Sequence, residues 1–179
     1  MTEILNITHL GNPILRQKAQ WIQDVNEPQI QNLIESLIAT ATKANGVGIA
    51  APQGGQSVRL FIVASRPNAR YPHALLMSPT AMINPRLVGH SDKIIKDWEG
   101  CLSVPGLRGL IPRYSSIQVE FTDRAGKLQS WELTDFVARI FQHELDHLNG
   151  LVFIDRLESL NDLYSEEEYQ RILQQSSSY

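Results

Sequence analysis

The stretch Gln142-His143-Glu144-Leu145-Asp146-His147-Leu148-Asn149-Gly150 constrains this chain more than any other. It contains H-E-x-x-H, two histidines four residues apart with a glutamate directly after the first. Positions i and i+4 share a face only on a helix, so the motif calls for a helix that brings both imidazoles to one metal ion. The pattern turns helical from Thr134, where Phe136, Val137, Ile140, His143 and His147 fall on or near one side. Glu144 lies elsewhere on the turn, close enough to act on a metal-bound water without being a ligand.

Two protein ligands rarely hold a catalytic ion, so a third donor is expected. A metzincin would supply a third histidine after the glycine; Gly150 is present, but the final position is Phe153. The remaining candidates are Cys101, the sole cysteine, and the carboxylates Glu166, Glu167 and Glu168, about twenty residues after His147. A lone cysteine is commonly an inert small hydrophobe. Gly100 and Pro105-Gly106, however, surround this one with turn chemistry, as at a strand end facing a cleft. A thiolate with two neutral imidazoles leaves a fourth position open for hydrolysis. The three glutamates sit in a charge run of the kind that usually forms a solvated helix face. Spacing alone leaves both alternatives standing.

Upstream, Ile30, Leu33, Ile34, Leu37, Ile38 and Ala41 form the stripe of an amphipathic helix over Pro28 to Ala44, stopped by Asn45-Gly46. The next segment, Gly46 to Gln53, resembles a dinucleotide fingerprint in letters only. It comes after a helix and runs into Pro52, so its glycines instead suit a tight turn or a close approach by backbone or ligand. Val58 to Ala64 reads as a buried strand, and Ser65 to Thr80 as an extended surface excursion. Ala81 to Val88 reads as a strand interrupted at Asn84-Pro85. Ser116 to Thr122 alternates Ile117, Val119 and Phe121 with polar residues, and Asp123 to Gly126 turns it into Leu128 to Leu133, a hairpin. Asp155 to Leu173 reads as an acidic helix, with a frayed Ser-rich end from about residue 174.

Strands followed by a late helix give the expected fold class, α+β: mixed or antiparallel sheets packed around a central metal-binding helix that carries H-E-x-x-H. At 179 residues, residues 1–179 are expected to form a single catalytic domain. A net charge of -3 offers no basic patch for nucleic acid, and no apolar run reaches the length of a membrane span. One cysteine, and an N-terminus without the look of a signal or transit peptide, lead to the expectation of a reducing, cytoplasmic setting.

Three stretches in order, GVGIAAPQ (46–53), EGCLSVPG (99–106) and QHELDHLNG (142–150), resemble the signature motifs of peptide deformylases. GNPILRQKA (11–19) and LRGLIPR (107–113) extend the resemblance to about Leu157. It implies hydrolytic removal of the formyl group from the N-terminal formyl-methionine of nascent peptides. Matched position by position, it implies that Cys101, His143 and His147 ligate one divalent metal. That ion is expected to be natively Fe2+, with Zn2+, Ni2+ or Co2+ as substitutes. Glu144 would be the general acid/base, with Gln53 and the backbone N–H of Leu102 facing the developing oxyanion. Val47 and Gly48 are expected to offer backbone groups to an extended peptide. Phe136 and Ile140, on the His143 side of the helix, would line an apolar methionine pocket.

The chain departs from the family pattern at Asp135, where a glycine is expected and a helix N-cap is the simplest role. The acidic C-terminal segment also differs from the basic terminal helix by which some members dock on the ribosome, so ribosome contact is not expected. The expected state is a monomer.

Overall fold

The computed structural model describes residues 3–67 and 72–176. Helix α1 (Pro28–Lys43) is followed by strands β1 (Gly48–Ala50), β2 (Leu60–Val63), β3 (Thr80–His90), β4 (Ile94–Cys101), β5 (Val104–Tyr114), β6 (Ser116–Thr122) and β7 (Leu128–Thr134). Helix α2 (Asp135–Leu148), strand β8 (Leu163–Ser165) and helix α3 (Glu166–Ser176) complete the order. One sheet runs β1-β2-β3-β6-β7, the other β4-β5-β8, and every strand pair is antiparallel. The class is α+β with antiparallel sheets; among the described residues the parallel pairing is an isolated bridge between Gln20 and Val58.

Strand β2 shows why its sequence is a continuous apolar run. Phe61 and Val63 point into a core shared with Phe136, Val137, Ile140 and Phe141 of α2. Leu60 and Ile62 point the other way, against Ile34 and Leu37 of α1. Both faces are covered, so no position is left for a polar residue. Phe61 and Phe141 meet edge to face with ring centroids 5.2 Å apart, anchoring α2 on the sheet.

Elsewhere the backbone departs from what patterning suggests. β3 runs on through Asn84-Pro85 with a register shift between Ile83 and Arg86. Asn84 takes a left-handed φ of 50°, and its side-chain amide bonds both the N–H (3.0 Å) and the C=O (2.8 Å) of Ile22. A bulge thus absorbs the proline that would otherwise break the ladder. Within the Ser65 to Thr80 excursion, Met77 N–H donates to the Ser65 carbonyl at 3.0 Å and draws the ends together; residues 68–71 lie outside the described residues.

Three expectations are corrected. Asp155 to Leu173 is not one helix: turns at Phe153–Arg156 and Leu160–Asp162 lead into β8, and only Glu166 onward is α-helical. The reason is tertiary, since Leu163–Ser165 pairs with Leu107–Gly109 of β5, which requires extended backbone. The helix also continues through Gln174 to Ser176, where composition suggests fraying; residues 177–179 lie outside the described residues. Asp135 does not serve as the N-cap, which is Thr134. Asp135 has φ 51°, the left-handed conformation that accounts for a glycine being expected there.

Candidate metal centre

Cys101 ends β4, directly before the two-residue turn Leu102-Ser103 that brings it opposite Val104 of β5. A register shift between Glu99 and Cys101 lifts the cysteine out of the regular ladder. On α2, His143 and His147 stand one turn apart, with ring centroids 5.2 Å from each other. The sulfur and one nitrogen of each imidazole lie within 4.8 Å of one another, and Cys101 Sγ is 3.2 Å from His147 Nε2. This group could hold a metal ion, and it does not include Glu166, Glu167 or Glu168.

The second nitrogen of His143 is already engaged: Nδ1 lies 2.9 Å from Glu99 Oε2. That leaves Nε2 for an ion, the usual division of labour for a ligating histidine. Glu99 belongs to a buried charge network. Arg113 donates to both of its oxygens (2.9 and 3.0 Å) and also to Asp146 Oδ2 (2.7 Å). Arg139 donates to Glu99 Oε1 at 2.9 Å, and Arg156 closes on the far side of Asp146 at 2.6 Å. Arg113 therefore ties the strand that carries the cysteine to the helix that carries the histidines. Burial pushes the Glu99 carboxyl up, but Arg113 and His143 outweigh it and hold Glu99 well below the usual carboxylate range.

Burial likewise pushes the Cys101 thiol up, yet His147 and His143 hold it well below the ordinary thiol value. His143 is displaced the other way: burial lowers it, and Cys101 with Glu99 carries it well above its ordinary value. A cation at this donor set is held by a thiolate and neutral imidazoles, so loading it releases protons. The soft-plus-imidazole donor set and the orientation of His143 both fit a divalent ion.

Glu144 points off the ligand face. Burial pushes its carboxyl up to about 7, and its Oε2 is buried without a hydrogen-bond partner. Gly48 explains how it fits: a Cβ built there would fall 2.4 Å from Glu144 Oε1. The close approach expected of this glycine is made by a carboxylate. Gln53 is buried, its Oε1 fixed by the Ala50 N–H at 2.8 Å. Its Nε2 faces Ser103 Oγ (3.1 Å) and Cys101 Sγ (3.5 Å).

A cleft of about 530 Å3 opens onto these groups. Cys101, Leu102, Gln53, His143 and Glu144 line it, together with Val47, Gly48, Phe136 and Ile140. His147 lies wholly buried behind it. The structure thus brings these site residues together, while of the alternative carboxylates Glu166 reaches the cleft and Glu167 and Glu168 do not line it. Sequence reasoning missed Glu99, Arg113, Arg139, Asp146 and Ser103 as parts of the site. The signal for Glu99 was available: it lies two residues before Cys101 on a strand, hence toward the same face, and a ligating histidine needs a carboxylate or carbonyl behind it. Arg113 and Arg139 carried no such signal, because buried arginines read as surface residues until their partners are known.

The model of the polypeptide deformylase family matches residues 4–162. The peptide deformylase 2 of Nostoc sp. is 65% identical over 171 residues, covering 96% of each chain. That of Shewanella oneidensis is 47% identical over 152 residues, 85% of this chain and 83% of the other. Among solved structures, a Met-Ala-Ser-bound class I type b peptide deformylase from Acinetobacter baumannii superposes with a TM-score of 0.85 at 40% identity, covering 88% of this chain and 100% of that one. The peptide deformylase of Thermotoga maritima gives 0.78 at 34% identity, over 88% and 99% of the two chains.

Proposed function

The chain belongs to the polypeptide deformylase family, and from that premise we propose that Cys101, His143 and His147 hold the metal with which it works. The protein is a hydrolase that removes the N-formyl group from the N-terminal formyl-methionine of nascent peptides and releases formate. The close approach of one sulfur and two imidazoles, within 4.8 Å, is the observation that carries the assignment. Helix α2 is in this reading the metal-binding centre between the two sheets, and residues 1–179 act as one catalytic domain. The ion is ferrous iron, with zinc, nickel or cobalt as substitutes the donor set also accepts. When bound, such an ion supplies Lewis acidity and brings the pKa of water toward ~7.

The chain's own residues do the rest. Glu144, with its carboxyl near 7, accepts a proton from water as the oxygen attacks the formyl carbon. Gln53 Nε2 and the Leu102 N–H donate to the formyl oxygen as negative charge builds there, each worth roughly 2.7–4 kcal/mol. The carbon–nitrogen bond then breaks, Glu144 returns its proton to the departing amine, and formate and a free methionyl peptide result. Glu99 fixes the His143 tautomer throughout. Strand β1 lies at the end of its sheet, so Val47 and Gly48 can pair with an extended peptide. Phe136 and Ile140 receive the methionine side chain. The Met-Ala-Ser found in the Acinetobacter relative supports a peptide in this cleft.

Among the described residues no helix is long and apolar enough to cross a membrane, and the matched relatives are bacterial; we read the enzyme as cytoplasmic and monomeric. The α3 sequence EEEYQRILQQS lacks the charge to dock on ribosomal RNA, so nascent chains are met without it. The decisive experiment is Glu144→Gln, assayed anaerobically for formate release from formyl-Met-Ala alongside metal content. The expected result is full metal occupancy with kcat lowered by about 10²–10⁴-fold. Retained turnover would remove Glu144 from its role.

A further inference from the structure

The region matched by the family model stops at residue 162, and the C-terminal segment beyond it, β8 and α3, folds back onto the site. Strand β8 pairs with Leu107–Gly109. Trp98 of β4 packs against Tyr164 and Tyr169, with ring centroids 4.9 Å from each. Tyr169 is buried and lies 5.3 Å from the Arg108 guanidinium. At the start of α3, Glu166 Oε2 meets Arg108 Nε at 2.5 Å, while its Oε1 accepts from Gln170 at 2.8 Å.

Arg108 is close to the reacting centre. A Cβ built on Gly100 would fall 1.9 Å from Arg108 Nη1, so the guanidinium rests on the backbone of the residue before Cys101. Arg108 and Glu166 both line the cleft, with 29% and 37% of their side chains exposed, which places the pair at its rim. An extended peptide advances about 3.3 Å per residue. With its formyl group at Cys101, a peptide of two or three further residues has the reach to meet this rim.

We propose that the C-terminal β8–α3 segment sets the charge preference of the cleft. Glu166 engages and neutralises Arg108, so this side of the rim does not select peptides bearing a carboxylate downstream of the formyl-methionine. An arginine without that partner would present its fork to such a carboxylate. Selectivity here is a difference between two peptides, adjusted by a residue that takes no part in bond cleavage. The inference rests on the deformylase reading of the site.

The test compares kcat/KM for formyl-Met-Ala-Ser, formyl-Met-Asp-Ser and formyl-Met-Lys-Ser in the metal-loaded full chain, its Glu166→Gln variant and the Glu166→Gln/Arg108→Gln double variant. Glu166→Gln should raise the Asp-to-Ala ratio by up to about five-fold. The gain should shrink in 0.5 M salt and disappear in the double variant. A change that affects all three peptides alike, or an unaltered ratio, overturns the proposal and leaves α3 as packing. Failure of the unmodified protein to deformylate any of the three would sink the underlying deformylase reading instead.

Discussion

Two antiparallel hairpins, β4–β5 and β6–β7, lie next to each other in the chain and are built on opposite terms. In β6–β7 the register runs unbroken from Ser116 opposite Thr134 to Thr122 opposite Leu128. Its inward residues Ile117, Val119 and Phe121 are all buried hydrophobics. In β4–β5 the ladder slips between Glu99 and Cys101, and the buried positions include Glu99 and Arg113. One hairpin holds the sheet; the other gives up regular pairing and apolar filling to aim a sulfur and a carboxylate at α2. Buried ion pairs rarely add stability over a hydrophobic replacement. The charges in β4–β5 make sense as orientation of His143 and of the strand that carries Cys101.

That contrast can be broken by substitution. Cys101→Ser should have the largest effect: metal content and formate release both fall to background, while circular dichroism keeps the native shape. A variant that still binds a full equivalent of metal would return the third-ligand role to a carboxylate. Ile117→Ala in β6 should do the reverse, lowering unfolding free energy by about 2–5 kcal/mol in urea titrations. Its metal content and kcat should match the parent well below Tm. Glu99→Gln should weaken metal retention roughly 10–100-fold in a competition with a chelator. An effect on stability alone would place Glu99 with the packing residues.

The smallest effect belongs to the β6–β7 turn. Asp123 accepts from the Lys127 and Ala125 N–H groups, both at 2.9 Å, and from Gln129 at 2.7 Å. The Lys127 bond foremost holds its carboxyl below the usual aspartate value. A depressed carboxyl stabilises the fold above the unfolded pKa, near ~3.9, and that contribution is lost as pH falls through the lower folded value. Asp123→Asn should therefore cost a few degrees of Tm at neutral pH. The gap should begin to narrow below about pH 4 and vanish once pH falls through the lower folded value, with no change in formate release. A gap that persists in acid would mean the turn depends on shape and not on charge.

The same contrast explains what the residues disclosed. The alternation of Ile117, Val119 and Phe121 and the helical stripe of α1 reflect burial on one face, which is a local signal. β5 gave no such pattern, because Gly109 and Arg113 occupy buried places that packing alone would fill with branched apolar residues. β8 reads as helix in isolation, since its three residues are extended only through pairing with β5. At the site, the residues with reactive side chains were legible one by one. The buried arginines that hold them were not, for their meaning lies in partners distant in sequence: Arg113 reaches Glu99 fourteen positions back and Asp146 thirty-three ahead.

Arg113 grips β4 and α2 through charges that need no ion between them. Strand and helix are therefore braced by the chain's own charges, as a frame is squared before its fittings are hung. Loosening that brace would spoil the aim of the cysteine at the imidazoles without altering a single donor atom.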